Sequence, residues 1–147
     1  MRRFEVLGKT KSGALVVDDY AHHPSELQAT LKAAKDWFPS KHIIAVFQPH
    51  TFSRTKALFA DFTKSFSNAD EVIFLPIYAS AREAFDPEVS SSKLADAAKA
   101  YHPKITYLEN EANLLQYLDQ KAGDTVILTM GAGDIYKTAK KLIQLWS

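Results

Sequence analysis

The 147-residue chain contains no cysteine. Disulfides, thiolate metal sites and a cysteine nucleophile are therefore excluded. Long apolar runs are also missing. The longest are strand-length, well short of the roughly 20 residues that cross a bilayer. Met1-Arg2-Arg3-Phe4-Glu5 lacks the apolar centre of a signal peptide, so a reducing, cytoplasmic setting is expected and a membrane partner is not. Nor is there a surplus of one charge: 18 Lys and Arg face 17 Asp and Glu, leaving a net +1. That balance argues against a nucleic-acid partner held by bulk charge. The sequence has no G-x-x-x-x-G-K-[ST] phosphate cradle, no G-x-S-x-G nucleophile elbow and no set of carboxylates spaced for magnesium.

What is present is a globular composition, with 46% hydrophobic and 24% charged residues, and a length that suits one domain. Short β-type runs alternate with helical patterns. Phe4 to Leu7 and Ala14 to Asp18 flank a polar stretch ending in Gly13, which predicts a hairpin. Pro24 sits at a first helical position, and Leu27, Leu31, Ala34 and Phe38 recur on one face before Pro39. Ile43 to Phe47 predicts a strand covered on both faces. Ser53 is the expected cap of a second helix with Leu58, Phe59, Phe62 and Phe66 inward. Glu71 to Leu75 predicts a strand, followed by a loop to about Val89. The serines at 90–92 can cap a helix with Leu94, Ala97, Ala98 and Tyr101 on one face. Ile105 to Leu108 and Thr125 to Met130 predict the last strands, with a helix from Ala112 to Gln120 between them. After Gly131-Ala132-Gly133-Asp134, a final helix aligns Ile135, Ala139, Leu142, Ile143 and Trp146. This alternation predicts an α/β, Rossmann-like, mostly parallel six-stranded sheet with helices on both faces and an antiparallel N-terminal edge hairpin.

Ligands of open α/β sheets bind beyond the carboxyl ends of the strands. The segments there carry three of the five histidines and two arginines, whereas the opposite ends carry little beyond turn residues and charges. Asp19 and His22 suit a carboxylate that binds a ribose beside an imidazole that orients or titrates. The competing reading is helix capping, which is favoured for Asp18 and stands level with a site role for His23. His50 and Arg54, four residues apart at a helix start, suggest an anion site that combines a guanidinium with free backbone N–H groups. The macrodipole disfavours Arg there on stability grounds alone. The Gly131–Gly133 turn could bring backbone close to a phosphate or could simply be tight. It does not complete G-x-G-x-x-G, because Tyr136 stands at the third position. Arg82, in the longest loop, reads as a surface residue or a distant ligand contact. Groups suited to touching a nucleotide and an acid, without any to drive phosphoryl transfer, suit one face of a shared active site.

Three motifs carry a resemblance. Asp18-Asp19-Tyr20-Ala21-His22-His23-Pro24, Phe47-Gln48-Pro49-His50-Thr51-Phe52-Ser53-Arg54-Thr55 and Gly131-Ala132-Gly133-Asp134-Ile135 together resemble the C-terminal domain of the Mur ligases of peptidoglycan synthesis. The likeness runs over essentially the whole chain. Tripeptide-recycling members share a similar D-x-x-H-H-P motif, and Gln48-Pro49-His50 favours the alanine-adding branch. The resemblance implies an enzyme of three domains, with UDP-sugar and P-loop ATPase domains upstream and residues 1–147 as the third. It implies ATP-dependent amide formation between UDP-N-acetylmuramate and L-alanine, with Mg2+ held mainly by the central domain. Asp19 would contact the ATP ribose. Tyr20, His22, His50 and Arg54 would line the amino-acid and acyl-phosphate side, with His23, Arg82, Gly131 and Gly133 as further candidates. No metal ligand and no complete catalytic set are expected in this domain alone. Some members carry Arg where this chain has Thr51, so one cation is missing here. The rival readings are a tripeptide-recycling domain, a stand-alone metal phosphohydrolase using Asp19, His22, His23 and His50, and a nucleotide-sensing module.

Overall fold

The computed structural model describes residues 3–144. The predicted hairpin forms from β1 (Glu5–Lys9) and β2 (Leu15–Asp19), paired antiparallel with a register shift between Val6 and Gly8. Then follow α1 (Pro24–Trp37), β3 (His42–Phe47), α2 (Phe52–Ala57), α3 (Phe59–Thr63) and β4 (Glu71–Phe74). The chain continues through α4 (Ser91–Ala98), β5 (Ile105–Tyr107), α5 (Glu111–Asp119), β6 (Thr125–Met130) and α6 (Ile135–Gln144). The six strands form one sheet in the order β1-β2-β6-β3-β4-β5, parallel except for the β1 edge. The fold expected from the sequence is the fold observed.

The apolar strands are covered on both faces, and their alternate residues feed two cores. On one face Ile43, Ala45 and Phe47 of β3 meet Leu27, Leu31 and Ala34 of α1, Phe62 of α3 and Leu94, Ala95 and Ala98 of α4. On the other, Ile44 and Val46 meet Leu114 and Leu118 of α5 and Ile135, Ala139 and Leu142 of α6. Among the described residues no helix is long and apolar enough to cross a membrane.

Local expectations are corrected at four places. Thr51, not Ser53, caps the second helix: its hydroxyl accepts the Arg54 N–H at 3.3 Å. That helix breaks at Leu58 into α2 and α3, and Phe66 reaches the core from the turn beyond. On α4 Ala95 joins Leu94 and Ala98 inward in place of Ala97, which is half-buried, whereas Tyr101 is exposed. The amino ends of the strands are also richer than expected. Tyr117 donates to Glu71 there, and His42 Nε2 lies 3.6 Å from the same carboxylate. Trp146 lies outside the described residues.

The sheet order positions the site. From β2 the chain crosses over the place later filled by β6 to reach β3, then runs outward through β4 and β5 before returning. The carboxyl ends of β2, β6, β3 and β4 thus deliver four loops to one edge, where strand order reverses.

Candidate functional site

Asp19, the last residue of β2, is 7% exposed, and backbone groups engage both carboxylate oxygens. Phe4 N–H donates to Oδ2 at 2.9 Å and Ala21 N–H to Oδ1 at 2.8 Å. The group is fixed in position and keeps acceptor capacity, since each oxygen has two lone pairs. It lines a cleft of about 200 Å³ with Arg3, Tyr20, Ala21, Ser25, Glu26, Ala29 and Thr30. Asp18 is fully buried and accepts from the Thr129 hydroxyl at 2.6 Å, so it ties β2 to β6, and the N-cap position of α1 belongs to His23.

His23 takes the capping role. Its Nδ1 accepts the Ser25 N–H at 3.5 Å, and Glu26 accepts the N–H groups of His22 and His23 at 3.3 and 3.1 Å. Burial of Glu26 opposes its ionisation, but these bonds and nearby positive charge hold it below the usual carboxylate range. His22 turns the other way. Its Nδ1 lies 3.0 Å from the Tyr20 carbonyl, so Nδ1 carries a proton, and in the neutral ring Nε2 is an acceptor.

His22 and Tyr20 begin an aromatic ridge across three strand ends. Their ring centroids are 5.2 Å apart, edge to face. His22 meets His50 at 6.4 Å, and His50 stacks on Tyr78 at 5.5 Å. A short backbone pairing holds the last contact: Tyr78 N–H donates to Pro49 O at 2.8 Å and Thr51 N–H to Tyr78 O at 2.9 Å. Arg54 Nη1 lies 3.2 Å from His50 Nδ1. Because a guanidinium can only donate, His50 Nδ1 accepts and Nε2 bears the proton. Burial, then the charges of Arg54 and His22, push the His50 pKa below its ordinary value, and Glu83 opposes them. The ridge therefore offers one imidazole that donates through Nε2, a second imidazole whose Nε2 accepts when the ring is neutral, and one guanidinium.

Thr51 joins this cluster to α2 with φ +68° and ψ +145°, a conformation that costs a β-branched residue of order 1–3 kcal/mol. The free N–H groups expected at this helix start are not free, because the Glu83 carboxylate receives them. Phe52 N–H donates to Oε1, and Ser53 N–H and hydroxyl donate to Oε2 at 3.4 and 2.9 Å.

The two glycines of the last loop are sites of close approach. A Cβ on Gly131 would lie 3.0 Å from the Gln48 carbonyl oxygen, and one on Gly133 would lie 2.5 Å from Tyr78 Cγ. Gly133 thus lets Tyr78 sit under His50. Arg82 is exposed, with its N–H on the Ser80 hydroxyl. The structure brings together Tyr20, His22, His50 and Arg54, with Gly133 behind Tyr78. It places Asp19 in the adjoining cleft, and His23 and Arg82 outside the ridge. Sequence reasoning missed the parts played by Tyr78 and Glu83, which arrive on a loop without periodicity. Among the described residues no group of three or more His, Asp or Glu could hold a metal ion. The donor set does not fit a resident metal.

A family profile described as "Mur ligase, glutamate ligase domain" matches residues 2–133. The chain belongs to the Mur ligase family. Its relatives include the UDP-N-acetylmuramate–L-alanine ligases of Desulfitobacterium hafniense, 48% identical over 144 residues, and Alkaliphilus metalliredigens, 51% identical over 144 residues. Each alignment covers 97% of this chain, but only 32% and 30% of those proteins. The crystal structure of the UDP-N-acetylmuramate–alanine ligase from Thermotoga maritima superposes with a TM-score of 0.76 at 28% identity. That match covers 97% of this chain and 29% of that one. The chain thus spans about a third of the length of the relatives it matches. Within the Mur ligase family, these named relatives belong to the alanine-adding branch that Gln48-Pro49-His50 pointed to.

Proposed function

We propose that this chain is the C-terminal domain of a cytoplasmic, ATP-dependent ligase that joins L-alanine to UDP-N-acetylmuramate. The observation that carries the reading is the ridge of His22, His50 and Arg54, at the strand ends of a Mur ligase domain about half identical to alanine-adding relatives. In this reading the sugar carboxylate attacks the γ-phosphorus of ATP, giving an acyl phosphate and ADP. The amine of L-alanine then attacks the acyl carbon, forming the amide, and phosphate leaves. Mg2+ would supply charge neutralisation at the phosphates, held in this reading by the upstream domains; among the described residues of this chain no group of three or more His, Asp or Glu could hold it.

The chain's own residues bind, orient and exclude water. Arg54 pairs with the carboxylate of the amino acid, and the His50 Nε2–H donates beside it. His22 Nε2 accepts from the amine. Asp19 presents its remaining lone pairs to the ATP ribose at the adjoining cleft. Swinging this edge onto the upstream domains closes the site and shields the acyl phosphate from hydrolysis.

The test measures ADP release. The 147-residue chain alone is expected to give no alanine-dependent turnover, and the longer protein with its upstream domains to give turnover that needs both UDP-N-acetylmuramate and L-alanine. Saturable turnover by the chain alone would overturn the reading. So would a longer protein that accepts a peptide in place of L-alanine.

A further inference from the structure

The loop over 76–89 lays one carboxylate on the first turn of α2. Glu83 receives the Phe52 N–H on one oxygen and the Ser53 N–H and hydroxyl on the other. Burial pushes the Glu83 carboxyl upward, but the bonds from the Ser53 hydroxyl and the two N–H groups outweigh it and hold the group below its ordinary value. The turn it grips is constrained on both sides. Thr51, at φ +68°, precedes it, and Arg54 follows with its guanidinium on His50. Arg54 also gives its own N–H to the Thr51 hydroxyl. A strained residue and an anion-reading residue are thus three positions apart on one turn, and the side chain that spans them comes from elsewhere in the chain.

We infer that Glu83 is a positioning residue for the His50–Arg54 pair: it fixes the first turn of α2 and so the direction from which Arg54 reaches His50. It also takes up the N–H groups of Phe52 and Ser53, so an incoming carboxylate is directed to the Arg54 guanidinium and not to the helix end. The functional weight of this inference rests on the proposed reading of the face, whereas its geometry does not.

Two variants of the 147-residue chain test it, Glu83→Ala and Glu83→Gln. Amide exchange and the titration of the His50 ring are followed by NMR. In Glu83→Ala, exchange at Phe52 and Ser53 is expected to rise about tenfold or more while β3 and β6 amides keep their protection. The midpoint of His50 is expected to fall, because a carboxylate that favours its protonated form is gone. Glu83→Gln keeps an acceptor oxygen and should restore part of the exchange protection without restoring the midpoint. Unchanged exchange and an unchanged midpoint in Glu83→Ala would overturn the inference. An equal rise across β3 and β6 would also overturn it, by showing general loss of fold. In the longer protein, Glu83→Ala is expected to raise KM for L-alanine several-fold more than it lowers kcat. Unaltered kinetics beside a loosened α2 would overturn the positioning role while leaving the assignment of the face to be judged on Arg54.

Discussion

His50 lies beyond the carboxyl end of β3, and His102 lies before the amino end of β5. Both are imidazoles at least partly withdrawn from water, and each answers to different partners. His102 is 7% exposed, with Nε2 2.7 Å from the Ala69 carbonyl and Nδ1 accepting the Lys104 N–H at 3.0 Å. Backbone consumes both of its nitrogens. His50 gives one nitrogen to Arg54, stacks on Tyr78 and presents the other to the open edge. The neighbouring groups repeat the contrast. At the amino ends, Glu71 takes the Tyr117 hydroxyl, whose pKa is pushed up to about 12 by burial and by the bond to and charge of Glu71. At the carboxyl ends the rings of Tyr20, His22 and His50 meet edge to face, and His22 Nδ1 also lies 3.0 Å from the Tyr20 carbonyl. Residue type does not separate structural groups from those of the candidate site here. What separates the two histidines is that backbone groups take both ring nitrogens of His102, whereas the bonded nitrogen of His50 meets a guanidinium.

The sharpest way to break this contrast is Arg54→Ala. In the longer protein it should lower kcat/KM for L-alanine by about 100-fold, while shifting the stability of this chain by less than about 1 kcal/mol in denaturant unfolding. Kinetics within twofold of the parent would make Arg54 a surface residue. His102→Ala should do the reverse. It strands the Ala69 carbonyl and the Lys104 N–H, so a loss of about 2–3 kcal/mol is expected in urea unfolding. The paired measurement is His50→Ala, expected to cost less than about 1 kcal/mol; equal losses would erase the distinction.

Gly133→Ala probes the support of the ridge. The new Cβ meets the Tyr78 ring, so about 1–3 kcal/mol of overpacking is expected, with shifted His50 ring resonances. Adding Tyr78→Ala should recover most of the stability and not the resonances. The smallest effect is that of pH. The folded pKa of His50 lies below its unfolded value, so the unfolded chain takes up the proton first. Stability present above pH 6.5 is lost as pH falls through the folded value. His50→Gln should flatten that part of the stability curve, and an unaltered slope would count against the depressed pKa.

The sheet and its two helical layers were legible because covered strands read as short apolar runs and the helices keep their periodicity. The break at Leu58 was not. The apolar spacing from Phe52 to Phe66 continues across it, and only backbone geometry shows two short helices. The cap was misplaced for a related reason: a positive φ at a β-branched residue such as Thr51 leaves no local mark in a sequence. His22 and His50 were legible as candidates because they closely follow strands, and Arg54 because it stands in the first turn of the helix after β3. Tyr78 and Glu83 were not, because an irregular loop sets their destination. The Phe52 and Ser53 N–H groups looked free only because nothing in the sequence connects position 83 to position 52.

The place of β6 has a consequence for the order in which this chain takes shape. The last strand to be made is the one that joins β2 to β3, which do not pair with each other. Until Thr125–Met130 has emerged, the nascent chain can form a hairpin and a separate three-stranded piece, with exposed apolar edges facing each other across a gap. His22 stands on one piece and His50 on the other. The ridge is therefore brought together only once β6 has been made, and a chain cut short before β6 would offer a chaperone or protease two unpaired strand edges.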